Sequence, residues 1–254
     1  MKLFRLLLIC ALVLLLLLAG LVAMMPAKAA LGWMQGRLGP LQMEDVSGTI
    51  WNGRAGRVSA HGQPVGALNW TLHPLALLGG RVDVDLAIEG TEVNAAGFVS
   101  ARRDRSLLLR DTRITMAAQR LQPALDIPAL RLLGEVEMQL DEAEFAGMFP
   151  KRLVGKAWWR DAAVSGSAEA LLGTLRADFR TDASGALIGA IEDEGGPLVL
   201  EGQFRAALTG YEAEALLSAR DGNPQVREAL QYIGEPQPDG SSLLHIQGRV
   251  LPFR

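Results

Sequence analysis

SGTIWNGRAGRVSAHGQPVGALNWTLHPLALLGGRVDVDLAIEG, residues 47–90, is the stretch whose reading decides the fold. Its last strand-length run shows the logic most cleanly. Val82, Val84, Leu86 and Ile88 alternate with Arg81, Asp83, Asp85 and Ala87, and a two-residue period is that of a strand with one apolar and one polar face. The turn elements His61-Gly62-Gln63-Pro64 and Gly79-Gly80 punctuate the stretch, as expected between antiparallel neighbours. It carries paired tryptophans and no set of residues suited to catalysis.

The same period continues outward. Val136, Met138 and Leu140 alternate with Glu135, Glu137, Gln139 and Asp141. Leu175, Ala177 and Phe179 alternate with Thr174, Arg176, Asp178 and Arg180, and Leu244, Ile246, Gly248 and Val250 repeat the habit near the C-terminus. Half-polar strands belong to antiparallel sheets with one wet face, because strands covered on both sides read as continuous apolar runs. Asp182-Ala183-Ser184-Gly185, Glu194-Gly195-Gly196-Pro197 and Pro238-Asp239-Gly240 supply further turns. Helix is scarce. Asn223 as N-cap, Pro224 at the first helical position and Gly234 beyond the end predict one, with Val226, Leu230 and Ile233 on its docking face. A short turn is expected over residues 74–78 and another over 142–149, stopped by Pro150.

Upstream, residues 6–25 form an uncharged, leucine-dominated run of about the 20 residues needed to cross a bilayer core. Ala27-Lys28-Ala29 resembles a signal-peptidase site, but a signal h-region is roughly 7–15 residues, so the run is read as an uncleaved anchor. Lys2 and Arg5 precede it, and the short tail of residues 1–5 is placed in the cytoplasm. Residues 26–46 are then a linker and the start of the region beyond the membrane, and 47–254 a β body on that same far side. The only cysteine, Cys10, lies in the anchor, so no intrachain disulfide is available. Net charge is −3 with scattered basic residues, which excludes the electrostatic footprint that nucleic acid requires.

Candidate chemistry is thin. Asp83 and Asp85 share one strand face, a spacing that could present paired carboxylates, yet they read as a solvated face. Glu192-Asp193-Glu194 before Gly195-Gly196 lacks the alternating ligand spacing of a calcium loop and reads as a hairpin tip. His61, His73 and His245 lie in different elements, with no cysteine to complete a zinc site. Ser165 lacks the glycine that opens a nucleophile elbow. The glycines of residues 53–62 fit no dinucleotide or phosphate loop. Arg102, Arg103 and Arg105 around Asp104 read as a solvated turn. No cofactor is expected. Trp33, just past the anchor, suits the membrane interface. Trp51, Trp70, Trp158 and Trp159 read as sheet packing, but successive strand residues face opposite ways. One of Trp158 and Trp159 therefore points away from its neighbour, and the pair is the best candidate for contact with a partner.

A shift of 107 residues superposes Gly48 on Gly155, Trp51 on Trp158, Ala55 on Ala162, Gly66 on Gly173 and Leu68 on Leu175. This faint echo raises the prospect of two duplicated β modules, with candidate halves at 47–150 and 151–254. The fold class is all-β: a curved antiparallel sheet body behind an N-terminal transmembrane helix, with one or two short helices.

Gly48-Thr49-Ile50-Trp51-Asn52-Gly53, Leu68-Asn69-Trp70 and Gly80-Arg81-Val82 together resemble the opening of the periplasmic part of the type II secretion system protein N family. Asp239-Gly240-Ser241-Ser242-Leu243 and Gln247-Gly248-Arg249 resemble its C-terminal strands. The resemblance implies a single-pass component on the inner-membrane side of the machine that exports folded proteins from the periplasm across the outer membrane. It carries no catalytic residues over. It implies as partners the other inner-membrane components and the periplasmic domains of the secretin. A rival also fits a curved sheet with an apolar face and an anchor: the AsmA-like group of periplasmic lipid-transport proteins, with a lipid ligand. A carrier predicts an apolar groove that stays open; a scaffold predicts an apolar face closed by its own packing. An enzyme would need a convergent polar site.

Overall fold

The computed structural model describes residues 24–34, 39–122, 129–147, 149–207 and 209–248. The expected transmembrane helix lies outside the described residues apart from its last two positions, Met24 and Met25. Among the described residues no helix is long and apolar enough to cross a membrane.

The chain divides into two compact units, one up to Thr91 and one from Glu92. In the first, a short helix α1 (Ala27–Met34) precedes β1 (Leu41–Gly48), β2 (Asn52–Ala60), β3 (Gln63–His73), the helical turn α2 (Pro74–Leu78) and β4 (Arg81–Glu89). The strands pair antiparallel in chain order; turns of three and two residues join β1 to β2 and β2 to β3, which only antiparallel neighbours allow, and the α2 segment of residues 74–80 returns the chain from β3 to β4. His61 and Gly62 both take positive φ, 52° and 78°, which is the backbone of a tight hairpin turn.

The second unit holds β5 (Val93–Arg102), β6 (Ser106–Ala117), a 3-10 turn (Ala118–Leu121), β7 (Leu130–Ala146), β8 (Phe149–Gly166), β9 (Ala170–Thr181), β10 (Leu187–Asp193), β11 (Leu198–Ala207) and β12 (Gly210–Ala219). Helix α3 (Pro224–Ala229), β13 (Glu235–Pro236) and β14 (Ser242–Gly248) complete it. Pairing again follows chain order until the helix intervenes, after which β14 lies beside β12 and carries β13 on its other side. The expected all-β antiparallel architecture is therefore present in both units. The boundary of the candidate halves, between 150 and 151, falls inside β8, whose hairpin with β7 pairs from Ala146↔Phe149 to Leu130↔Gly166.

The expected helical turn over 142–149 is not formed. Residues 142–146 continue β7, paired with both β6 and β8. The Glu-Ala-Glu-Phe-Ala composition favours helix locally, but two flanking strands and the burial of Ala143 (0% exposed) beside Phe145 outweigh that weak preference. Helix α3 forms as expected. The Asn223 side chain accepts from the backbone N–H groups of Gln225 and Val226, satisfying donors left orphaned at a helix start. Val226, Ala229, Leu230 and Ile233 are buried.

The core of the second unit lies on one face of its sheet. Register places Gly155, Phe179, Gly189, Phe204, Ala213 and Ile246 in one row across six strands. Ala157, Ala177, Ile191, Gly202, Ala215 and Leu244 form the next row. Trp159 and Ala162 share the apolar face although they are three apart, because Asp161 is an extra residue with φ 49° and shifts the register. Gly134 sits opposite this bulge, where a Cβ would come within 2.5 Å of the Arg160 carbonyl oxygen.

β4 departs from its clean alternation. Val82 is 42% exposed, whereas Asp83 is buried, so the aspartate pair is not uniformly a solvated face. Arg81 Nε lies 3.1 Å from Asp83 Oδ2 and partners its charge; Asp85 faces His73, with Oδ2 2.7 Å from Nε2.

Candidate functional site

The motif residues of the first unit assemble a turn and its lock. Gly48 has φ +84°, a conformation side chains resist, and a Cβ there would come within 2.5 Å of the Asn52 carbonyl oxygen. The Asn52 N–H donates to Thr49 Oγ1 at 3.1 Å, and the Thr49 N–H donates to the Asn52 carbonyl at 2.8 Å. Trp70 crosses from β3. Its Nε1–H donates to the Ile50 carbonyl at 3.2 Å, and its ring lies over Gly53, where a Cβ would meet Cζ2 at 2.3 Å. The Trp51 carbonyl accepts from Leu72 N–H at 2.6 Å, and Leu68 pairs with Ala55 on one side and Ile88 on the other. Gly80, with φ +72°, ends the α2 turn and donates to the Leu77 carbonyl. Thr49, Asn52, Gly53, Trp70 and Gly80 thus fix the turn and the strand register through hydrogen bonds and close contacts, and Asn52, Gly53 and Trp70 also line a shallow depression beside Arg54 and Asn69.

An aromatic ring across a strand-paired glycine recurs in the second unit. Phe179 covers Gly155, Phe204 covers Gly189, and Tyr211 covers Gly248. The missing Cβ lets each ring lie flat on the neighbouring strand, a device that fixes register.

The apolar face of the second unit is closed only in part. The α3 segment caps one end, and beside it a groove of about 270 Å³ remains, lined by Leu132, Val136, Trp159, Leu172, Leu200 and Leu230 among others. Trp159 belongs to this face, and its Nε1–H donates to the Leu133 carbonyl at 2.8 Å. Trp158 points to the polar face, half-buried, with Arg160 Cζ 5.5 Å from its ring centroid. That distance is within cation–π range. The opposite orientation expected of the pair is observed, and Trp158 is the member left on the outer surface.

Other candidates resolve into local structure. Glu192 and Asp193 end β10 at the hairpin tip that runs through Glu194. Asp193 accepts from the N–H groups of Gly195 (2.9 Å) and Leu200 (3.1 Å) and from Arg220, whose Nε donates to the Gly196 carbonyl at 2.7 Å. Burial pushes its pKa up, but these donors and the Arg220 charge outweigh burial and hold it below the usual carboxylate value. The lock ties the β10–β11 tip to the start of the α3 segment, a link across 27 residues that no local motif announces. Arg102, Arg103 and Arg105 are exposed around Asp104, which accepts from Ser106 Oγ and N–H. His61, His73 and His245 stay in separate elements, and among the described residues no three metal-ligating side chains converge. Trp33 lies in α1; its side chain is outside the described part.

A family model described as type II secretion system (T2SS), protein N, matches residues 39–244. A protein named Type II secretion system protein N from Vibrio cholerae serotype O1 is 28% identical over 248 residues, covering 93% of this chain and 92% of that relative. No solved structure matches. The matched segment runs from just before β1 into β14 and takes in both units, so the chain belongs to the type II secretion system protein N family.

Proposed function

We propose that this chain is a non-enzymatic component of the type II secretion system, held in the inner membrane by residues 6–25 with residues 47–254 in the periplasm, and that it supports export of folded proteins across the outer membrane. The family match over residues 39–244 carries the reading. The geometry supports a scaffold: glycines, turn hydrogen bonds and rings fix strand register. The partners would be the other inner-membrane secretion components and the periplasmic domains of the secretin, met through sheet edges or through surface aromatics such as Trp158. Crosslinking the full-length protein in intact cells, followed by mass spectrometry of what copurifies, tests it. Secretion components without bound lipid are expected.

The groove of about 270 Å³ favours a second reading, a lipid carrier. Walls without polar partners order water poorly and suit hydrocarbon. Stoichiometric phospholipid with no secretion component in the same experiment would replace the scaffold with the carrier.

A further inference from the structure

The α2 turn inverts the usual arrangement of a surface helix. It buries its small residue, Ala76, at 6% exposure and presents its large ones: Leu75 is 79% exposed, Leu78 87% and Leu77 40%. Pro74 opens the turn at the first helical position, and the Gly79 N–H closes it on the Ala76 carbonyl at 3.0 Å. Leu75 and Leu78, three apart, therefore share a side of the turn. Single exposed leucines are ordinary, but three within four residues form a patch that calls for a partner.

The position of the turn identifies that partner. Thr71 on β3 is level with Asn52 on β2, and the Leu72 N–H donates to the Trp51 carbonyl, so α2 leaves β3 at the sheet end occupied by the Thr49–Trp51 turn. The chain enters the unit at that same end: Pro26 bridges Thr49, and the Ile50 N–H donates to the Met25 carbonyl at 3.1 Å. Met25 is the last residue of the uncharged run of residues 6–25, and Met24 before it is 78% exposed. Strands β1 and β3 stand two spacings apart, roughly 10 Å. An anchor leaving at Met24 thus keeps the leucines close to the bilayer. Lys28 is exposed on the segment entering at this end, where a cation suits anionic headgroups.

We infer that Leu75, Leu77 and Leu78 form a second membrane contact that inserts into the lipid interface beside the anchor and fixes the tilt of the first unit on the bilayer. The inference rests on the anchored reading under Proposed function, and one experiment separates the two. In the full-length chain carrying Cys10→Ser, single cysteines Leu75→Cys, Leu78→Cys and Gln63→Cys are labelled with an environment-sensitive fluorophore. Each protein is reconstituted into vesicles of phosphatidylethanolamine and phosphatidylglycerol containing shallow doxyl lipid. Gln63 is exposed at the opposite end of the hairpin. Blue-shifted, lipid-quenched emission at 75 and 78 with none at 63 is expected. Emission at 75 and 78 matching that at 63 would overturn the inference, as would labels shielded from aqueous iodide but untouched by doxyl lipid, which would indicate a protein partner. Retention of the chain after carbonate washing in either of those cases would leave the anchor reading standing. Release by carbonate would remove the anchor reading and this inference together.

Discussion

The two units are built from the same antiparallel hairpins but are stabilised differently. In the first, the buried apolar residues among those described are small: Ala27, Ala55, Val58 and Ala76. In the second, Leu130, Leu132, Leu172, Leu198, Leu200 and Leu217 are buried in one cluster with Val226 of α3. The first unit therefore depends more on register, turn locks and the Trp70–Gly53 contact, whereas the second has a conventional apolar core. The contrast places the family motif where packing alone specifies least. A small-residue interior cannot penalise a slipped strand as strongly as a leucine core can.

The largest separable effects should be unit-specific. Leu130→Ala removes a side chain that is 1% exposed and is expected to cost about 3 kcal/mol. Hydrogen exchange should show protection lost across β6–β9 and retained in β1–β4; equal loss in both would show that the units unfold as one. Gly53→Ala tests the other side. Its Cβ would meet Trp70 Cζ2 at 2.3 Å and the Thr49 carbonyl at 2.9 Å, an overpacking expected to cost about 2 kcal/mol. Exchange should accelerate in β2 and β3 while the second unit stays protected.

Much of this was legible in the sequence. The two-residue period located β4, β7, β9 and β14, and Asn223-Pro224 with Val226, Leu230 and Ile233 located the capping helix. These are local patterns, readable without knowledge of pairing. What stayed hidden depended on long-range register or on what covers a face. Gly189 under Phe204 and Gly155 under Phe179 require the pairing to be known. The burial of Asp83 and the exposure of Val82 depend on what covers each end of the sheet face, which no periodicity encodes. The helix expected at 142–149 was lost to strand pairing. Residues 74–78 were expected to turn, but sequence could not show that the turn would expose Leu75 and Leu78. Of the positions the 107-residue echo superposes, Ala55 and Ala162 are both buried and Gly66 and Gly173 both have positive φ, whereas Gly48 (φ 84°), Trp51 and Ala55 span the end of β1, a turn and β2 while Gly155, Trp158 and Ala162 all lie within β8.

A smaller effect probes how the helix covers the second unit. Asn223→Ala removes the acceptor for two N–H groups at the start of α3 and is expected to cost about 1 kcal/mol. Denaturant melts should register it, with the loss of protection confined to residues 220–233 and the strands they cover. Global loss of protection would make the helix an integral part of the core rather than a cap.

The smallest effect expected near neutrality's acid side concerns the Asp193 lock. Its folded pKa lies below the unfolded value, so its contribution is fully present above about pH 4, the unfolded carboxylate range. That contribution fades as pH falls through the lower folded value, where the carboxylate takes a proton and its charge no longer faces Arg220. Asp193→Asn removes the charge at every pH. The variant should therefore melt at lower denaturant than the parent at pH 6, and the gap between them should narrow as the pH falls below the unfolded carboxylate range of about 4 and through the lower folded value. Because the lock lies wholly within the second unit, probes on β1–β4 should not register the difference. A gap that stays constant with pH would mean that the side chain acts through its hydrogen-bond geometry, which asparagine alters at any pH, rather than through its charge.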